Sequence, residues 1–342
     1  MSMTPRSDHS PTDALAAVSE GLEIPAHKVP VPTTVSPEMR TIIGAPRRPA
    51  STLRPRTIEE WKSIVDASAV TAISALPGLC KRLRVKFETT RLDVVRAYSV
   101  TPEDIAPENR NRLLIHVHGG CYVLSPGEAG LPEAILMAGF GRFKVLSVDY
   151  RMPPEAYFPA ALDDVVTAWK AASTIEDPRR MAVFGTSAGG ALTLALILRA
   201  KQEGLALPAC IAPGTPMSDV TKTGDTFYAN ELLDNVLVSR DGICDAATRF
   251  YANGNDLGDP LLSPVFGDLS GFPPAILTSG TRDLLLSNTV RVHRKLRQSG
   301  VEAVLHVYEG QSHAQYLAND AAPETREAFQ EIAYFFDRHL ER

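Results

Sequence analysis

From about residue 83 to its C-terminus the chain repeats one pattern: a short apolar run, a polar turn, then a stretch with apolar residues at helical spacing. That alternation predicts βαβ units, and so a mostly parallel sheet with helices on both faces. Eight runs read as strands, at 83–89, 94–99, 113–118, 144–150, 181–184, 209–212, 275–279 and 303–308. Helices are expected over 128–139, 160–172, 188–203, 288–299 and 323–340. Between Pro216 and Asp268 the pattern lapses into polar, irregular sequence with one helix near 241–253. An insertion just after a strand end lies where such sheets bind ligands. It reads as a cap.

The N-terminal part differs. Nine of the 26 prolines fall between Pro5 and Pro55, which predicts extended or irregular chain. A helix is expected over 57–75, with Thr57 as N-cap, Glu60 completing a capping box, and Pro77-Gly78 ending it. With 342 residues and 44% hydrophobic content the chain can bury a large core, which fits one large α/β domain plus an appended element.

Charge and cysteine usage narrow the function. A formal charge of −5 and a pI near 5.9, with no lysine or arginine run, disfavour nucleic acid and anionic membranes as partners. Cys80, Cys121, Cys210 and Cys244 show no paired spacing, so neither a zinc site nor a redox pair is expected and all four read as reduced. No segment comes near the roughly 18 uninterrupted apolar residues of a membrane span, and the start lacks a signal pattern. A soluble, cytoplasmic protein is the expectation.

Chemistry concentrates at Gly185-Thr186-Ser187-Ala188-Gly189, between the apolar strand 181–184 and the following helix. The flanking glycines allow a sharp turn that displays Ser187 in a strained conformation, the setting of a nucleophile. A serine nucleophile needs a base, a carboxylate that orients the base, and donors for the developing oxyanion. His313 supplies the base, on the loop after strand 303–308, whereas the other histidines read as surface or core residues and His118 as a loop anchor. Asp283 supplies the acid, just past strand 275–279; Asp219, Asp225, Asp234 and Asp245 read as turn or surface residues. Donors are expected from the amides of Gly119, Gly120 and Cys121, in the loop after strand 113–118, together with that of Ala188 at the helix start. Tyr122 either lines the substrate pocket or packs.

At these residues the chain resembles the hormone-sensitive-lipase-like esterases, bacterial family IV of the α/β-hydrolases. The likeness rests on His118-Gly119-Gly120, on Asp149-Tyr150-Arg151-Met152-Pro153-Pro154-Glu155, on Phe158-Pro159-Ala160-Ala161, on the stretch 185–190, and on Asp283 and His313. Thr186, where aspartate is common, resembles the GTSAG branch, and Cys121 stands where the family usually has a third glycine. The resemblance implies an α/β-hydrolase fold with a mostly parallel, central eight-stranded sheet flanked by helices. It implies a catalytic domain over 81–215 and 256–342, a helical cap from 1–80 and 216–255, and dimers through strand 303–308.

The expected activity is hydrolysis of short- to medium-chain acyl esters through a Ser187-His313-Asp283 triad and an acyl-enzyme, with no cofactor or metal. Lactone hydrolysis uses the same machinery and stays open at this stage. A serine peptidase, or a binding module that keeps the fold without turnover, is the more distant reading.

Overall fold

Eight strands form one sheet in the order β1-β2-β4-β3-β5-β6-β7-β8. They are β1 (Val85–Leu92), β2 (Val95–Pro102), β3 (Leu113–Val117), β4 (Lys144–Val148), β5 (Met181–Thr186), β6 (Cys210–Gly214), β7 (Ala275–Gly280) and β8 (Ala303–Tyr308). β1 and β2 form an antiparallel hairpin and β2 runs antiparallel to β4, while every other pairing is parallel. The computed structural model describes residue 21 and residues 23–341. Of the 1–80 segment expected in the cap, residues 1–20 and 22 lie outside the described residues. Residues 23–30 form no helix or strand.

The helices are α1 (Pro37–Ile43), α2 (Ile58–Leu83), α3 (Pro132–Gly141), α4 (Ala160–Ala172), α5 (Ala188–Glu203), α6 (Thr226–Ala229), α7 (Ile243–Ala252), α8 (Leu286–Gln298) and α9 (Pro323–His339). Successive strand side chains point to opposite faces, which divides the core into two layers. Ile115, Val117, Val183 and Leu277 face α4, α5 and α8. Leu114, Phe184 and Ile276 face the other layer, with Leu76 of α2, Ile135 of α3 and Phe336 of α9. Because both faces are covered, β3, β5, β6 and β7 are buried at every residue, and their sequences read as unbroken apolar runs.

α2 departs from expectation at its C-terminal end. The capping box at Thr57 and Glu60 is present, but the helix runs through Pro77-Gly78 to Leu83. Proline inside a helix leaves one carbonyl without its amide partner, that of Ile73 four residues back. Ile73 and Pro77 both face solvent, where water can satisfy that carbonyl, while Leu76, Leu79 and Leu83 pin the opposite side to the core. Over an 18-residue window α2 has a mean hydropathy of 1.5, so by length and composition it is apolar enough to cross a membrane, contrary to expectation. Here its first turn stacks Trp61 on Phe250, with ring centroids 5.3 Å apart, and its last turns join the core.

The helix expected over 128–139 divides at Pro132, into a 3-10 turn over Gly127–Gly130 and α3. The insertion between β6 and β7 carries α6 and α7. Residues from the N-terminal part bind it directly. Asn235 Nδ2 donates to the carbonyls of Ile42 and Ala45, at 3.1 and 3.0 Å, and Arg47 Nε donates to Leu232 O at 2.7 Å.

Candidate active site

β5 delivers Ser187 to the C-terminal edge of the sheet, and α5 begins at the next residue. Ser187 has φ 63° and ψ −119°, a backbone conformation that a side chain rarely adopts and that costs on the order of 1–3 kcal/mol. The surroundings enforce it. Ser187 N donates to Gly214 O at 2.9 Å, and Ser187 O accepts from Met217 N and Ala191 N, both at 3.0 Å. Only glycine fits on either side: a Cβ on Gly185 or Gly189 would lie 2.0 or 1.9 Å from Val117 O. The elbow therefore sits against the end of β3, where the loop 118–122 begins.

Asp283 follows the last residues of β7 and is fully buried. Oδ1 accepts from Leu285 N at 2.7 Å and lies 3.0 Å from His313 Nδ1. Oδ2 accepts from the hydroxyls of Ser279 and Thr215. With its oxygens so engaged, the carboxylate presents one fixed edge to the imidazole. A carboxylate at Nδ1 fixes the proton there and leaves Nε2 as the acceptor, the tautomer a general base requires. Burial acts to lower the His313 pKa, but the charge and hydrogen bond of Asp283, with the further charge of Asp234, hold it above the ordinary imidazole value.

Asp234 corrects the expectation of a turn or surface residue. It is fully buried behind the Asp283–His313 pair, and its two oxygens serve four backbone amides. Oδ1 accepts from Val236 and Leu237, at 2.8 and 2.9 Å; Oδ2 accepts from Leu284 and His313, at 2.9 and 3.2 Å. It ties the insertion to both loops that carry the acid and the base. Asp219 is likewise buried, accepting from Thr221 and Thr223 and pairing with Arg291.

Beneath the elbow Thr186 joins a buried polar network that the sequence did not reveal. Its hydroxyl donates to Glu133 Oε1 at 2.6 Å and lies 2.7 Å from the Tyr316 hydroxyl, and its amide reaches Glu133 Oε2 at 3.2 Å. Glu133 Oε2 is also 3.2 Å from His116 Nε2, and His116 Nδ1 is 2.8 Å from Ser147 Oγ. The network couples β3, β4, β5 and α3 under Ser187.

The loop 118–122 lies alongside. A Cβ on Gly119 would fall 3.4 Å from Ser187 Cβ. Three successive residues take left-handed backbone angles: Gly120 at φ 113°, Cys121 at 53° and Tyr122 at 65°. Each of the two non-glycine residues incurs roughly 1–2 kcal/mol in that region, so other contacts must hold the loop. Tyr150 does so from below, donating to His118 O at 2.9 Å and stacking on the His118 ring at 4.1 Å. Burial pushes the His118 pKa down to about 4, so the ring is neutral and acts as an anchor. Tyr122 takes the packing role, buried and stacked on Tyr251 of α7 at 4.5 Å.

The cysteines also require correction. Cys121 is disulfide-bonded to Cys244 of α7, with Cα atoms 5.5 Å apart, while Cys80 and Cys210 are free. The partners are 123 residues apart, so spacing could not announce them; the packing of α7 onto the loop joins them. A cavity of about 30 Å³ lies beside this linkage, lined in part by Met217, Phe227, Leu237, Cys244 and Leu285. The larger cleft, about 750 Å³, lies between α2 and residues 149–155 and includes none of Ser187, Asp283 and His313. Among the described residues no cluster of three or more His, Cys, Asp or Glu side chains could hold a metal ion.

Comparison with known proteins agrees with this geometry. Residues 114–317 match the α/β-hydrolase-fold family. An esterase of Acinetobacter venetianus is 30% identical over 264 residues, covering 76% of this chain and 86% of that protein. The crystal structure of esterase E25 superposes with a TM-score of 0.91 at 42% identity, covering 94% of this chain and 99% of the other. An esterase from the bacterial hormone-sensitive lipase family superposes with a TM-score of 0.78 at 26% identity, covering 90% and 99%.

Proposed function

From the premise that this chain belongs to the bacterial hormone-sensitive-lipase-like esterases of the α/β-hydrolase fold, and so hydrolyses carboxylic esters, we propose that Ser187, His313 and Asp283 are its catalytic triad. His313 Nε2 takes the hydroxyl proton as Ser187 Oγ bonds to the ester carbonyl carbon. The tetrahedral oxyanion is held by the amides of Gly119, Gly120, Cys121 and Ala188. As the intermediate collapses, the C–O bond to the alcohol breaks and imidazolium returns the proton to the departing oxygen, leaving Ser187 acylated. Water then attacks the acyl carbon with His313 again as base, which releases the acid and restores Ser187. Asp283 stabilises the imidazolium in both halves.

The observation that carries this reading is the Asp283 Oδ1–His313 Nδ1 contact at 3.0 Å, on loops beside a serine held at φ 63°. Ser187→Ala should abolish hydrolysis of p-nitrophenyl butyrate; retained turnover by the purified variant would overturn it.

The insertion 216–255, joined by residues from 31–80, is proposed as the cap. The contacts of Asn235 with Ile42 and Ala45 and of Trp61 with Phe250 support this division. Acyl chains of short to medium length are proposed, the short end being favoured by the roughly 30 Å³ cavity beside Met217, whose amide bonds Ser187 O. A series of p-nitrophenyl esters from acetate to laurate tests this, with kcat/KM falling along the series. A homodimer through β8 is also proposed: β8 ends the sheet, and Val307 on it is 41% exposed. Light scattering should then give twice the chain mass.

A further inference from the structure

The loop that carries the proposed oxyanion donors is held by one helix of the cap through two adjacent residues. Cys121 is bonded to Cys244, in the first turn of α7, and Tyr122 stacks on Tyr251 near the other end of the same helix. Both loop residues have positive φ, a backbone that glycine accepts freely and that a cysteine or tyrosine adopts only when held there. Cysteine at 121 thus forgoes glycine's ease and gains a covalent tie to the cap. The tie continues toward the nucleophile: Cys244 Sγ lies 3.6 Å from Met217 Sδ, and the Met217 amide bonds Ser187 O.

We propose that the Cys121–Cys244 disulfide is a redox-sensitive positioning element for the oxyanion site. Closed, it fixes the loop 118–122 under α7; opened, it frees both and slows turnover. Opening is thiol–disulfide exchange with a dithiol reductant. One reductant thiolate attacks a sulfur of the pair, and the second displaces the mixed disulfide. The reductant leaves as its own disulfide, and Cys121 and Cys244 are left as two thiols, their protons supplied by the reductant's thiols. In a compartment poised to reduce the pair the enzyme would run slow, and in an oxidising one fast. The two sulfurs act by placing other groups, so neither is a catalytic residue.

The inference rests on the oxyanion site proposed above, and the test keeps the two readings apart. Purified enzyme is assayed with p-nitrophenyl butyrate as isolated, after dithiothreitol, and after reoxidation. The thiol state is read by alkylation and peptide mass, and the fold by circular dichroism. Oxyanion donors act in the transition state, and removing one costs about 10²–10³ in kcat. Loosening the loop without removing a donor should cost kcat about ten-fold, with KM changed much less. Reoxidation should restore the rate. Cys244→Ser should sit at the reduced rate and ignore dithiothreitol, whereas Cys80→Ser should respond like the wild type. If Cys244→Ser fails to fold, the reduced wild type still decides the matter.

The proposal is overturned if the reduced, folded wild type, alkylated at both positions, keeps kcat within about two-fold of the oxidised form, a small fraction of one donor's worth. It is equally overturned if Cys121 and Cys244 both alkylate without reductant in fully active enzyme. A redox response alongside hydrolysis by Ser187→Ala would sink the triad and leave this inference standing. No redox response alongside an inactive Ser187→Ala would do the reverse.

Discussion

Asp234→Asn isolates the buried carboxylate behind the acid and base loops. Its oxygens accept four backbone amides, two apiece. An asparagine keeps one oxygen and turns an NH2 donor toward the other pair, so two buried N–H groups lose their acceptor. At about 1–3 kcal/mol for each, the variant should lose about 2–6 kcal/mol of stability. Unfolding entropy near the melting point is about 2.1 cal/mol/K per residue, or about 0.7 kcal/mol/K for 342 residues, which makes the expected fall in Tm about 3–9 °C. The substitution also removes one of the charges that lift the His313 pKa. His313 must be neutral to take the serine proton, so activity is lost as pH falls through its pKa. Lowering that pKa moves the acid limb of kcat/KM toward lower pH. Differential scanning fluorimetry and a pH–rate profile read both effects. An unchanged Tm would refute the four-amide account, and an acid limb that stayed put or moved upward would refute the electrostatic one.

Two further outcomes follow from the same geometry. In the wild type the acid limb should lie above the ordinary imidazole value of about 6.5, because Asp283 and Asp234 outweigh burial at His313; Asp283→Asn, which presents the wrong tautomer, should lower kcat by about 10⁴ in a steady-state ester assay. Thr186→Val removes the hydroxyl that serves Glu133 and Tyr316 and should cost about 1–3 kcal/mol in urea unfolding, while leaving Ser187 reactive toward a fluorophosphonate.

Much of this architecture was legible because the sheet is buried on both faces. Strands such as Leu113–Val117 and Met181–Thr186 had to be continuous apolar runs, and the helices between them carry apolar residues at helical spacing. Ser187, Asp283 and His313 could be picked out because each follows a strand end on a loop. Groups whose partners are distant in sequence stayed hidden. Asp234 sits in irregular chain, and nothing near it shows that the amides of Leu284 and His313 will converge on its oxygen. Glu133 meets Thr186 across 53 residues, and Cys121 meets Cys244 across 123. The stop expected at Pro77 failed for a related reason: the leucines that carry α2 past it belong to a core assembled from α3 and α9.

The central claim is that Ser187, displayed at the β5–α5 elbow, is the nucleophile. Peptide mass mapping of the purified enzyme after treatment with a fluorophosphonate tests it most directly. The account predicts one adduct per chain, on Ser187, with hydrolysis lost in proportion to labelling and no adduct on Ser187→Ala. An adduct elsewhere that tracks the loss of activity, or full hydrolysis by enzyme fully labelled at Ser187, would contradict it.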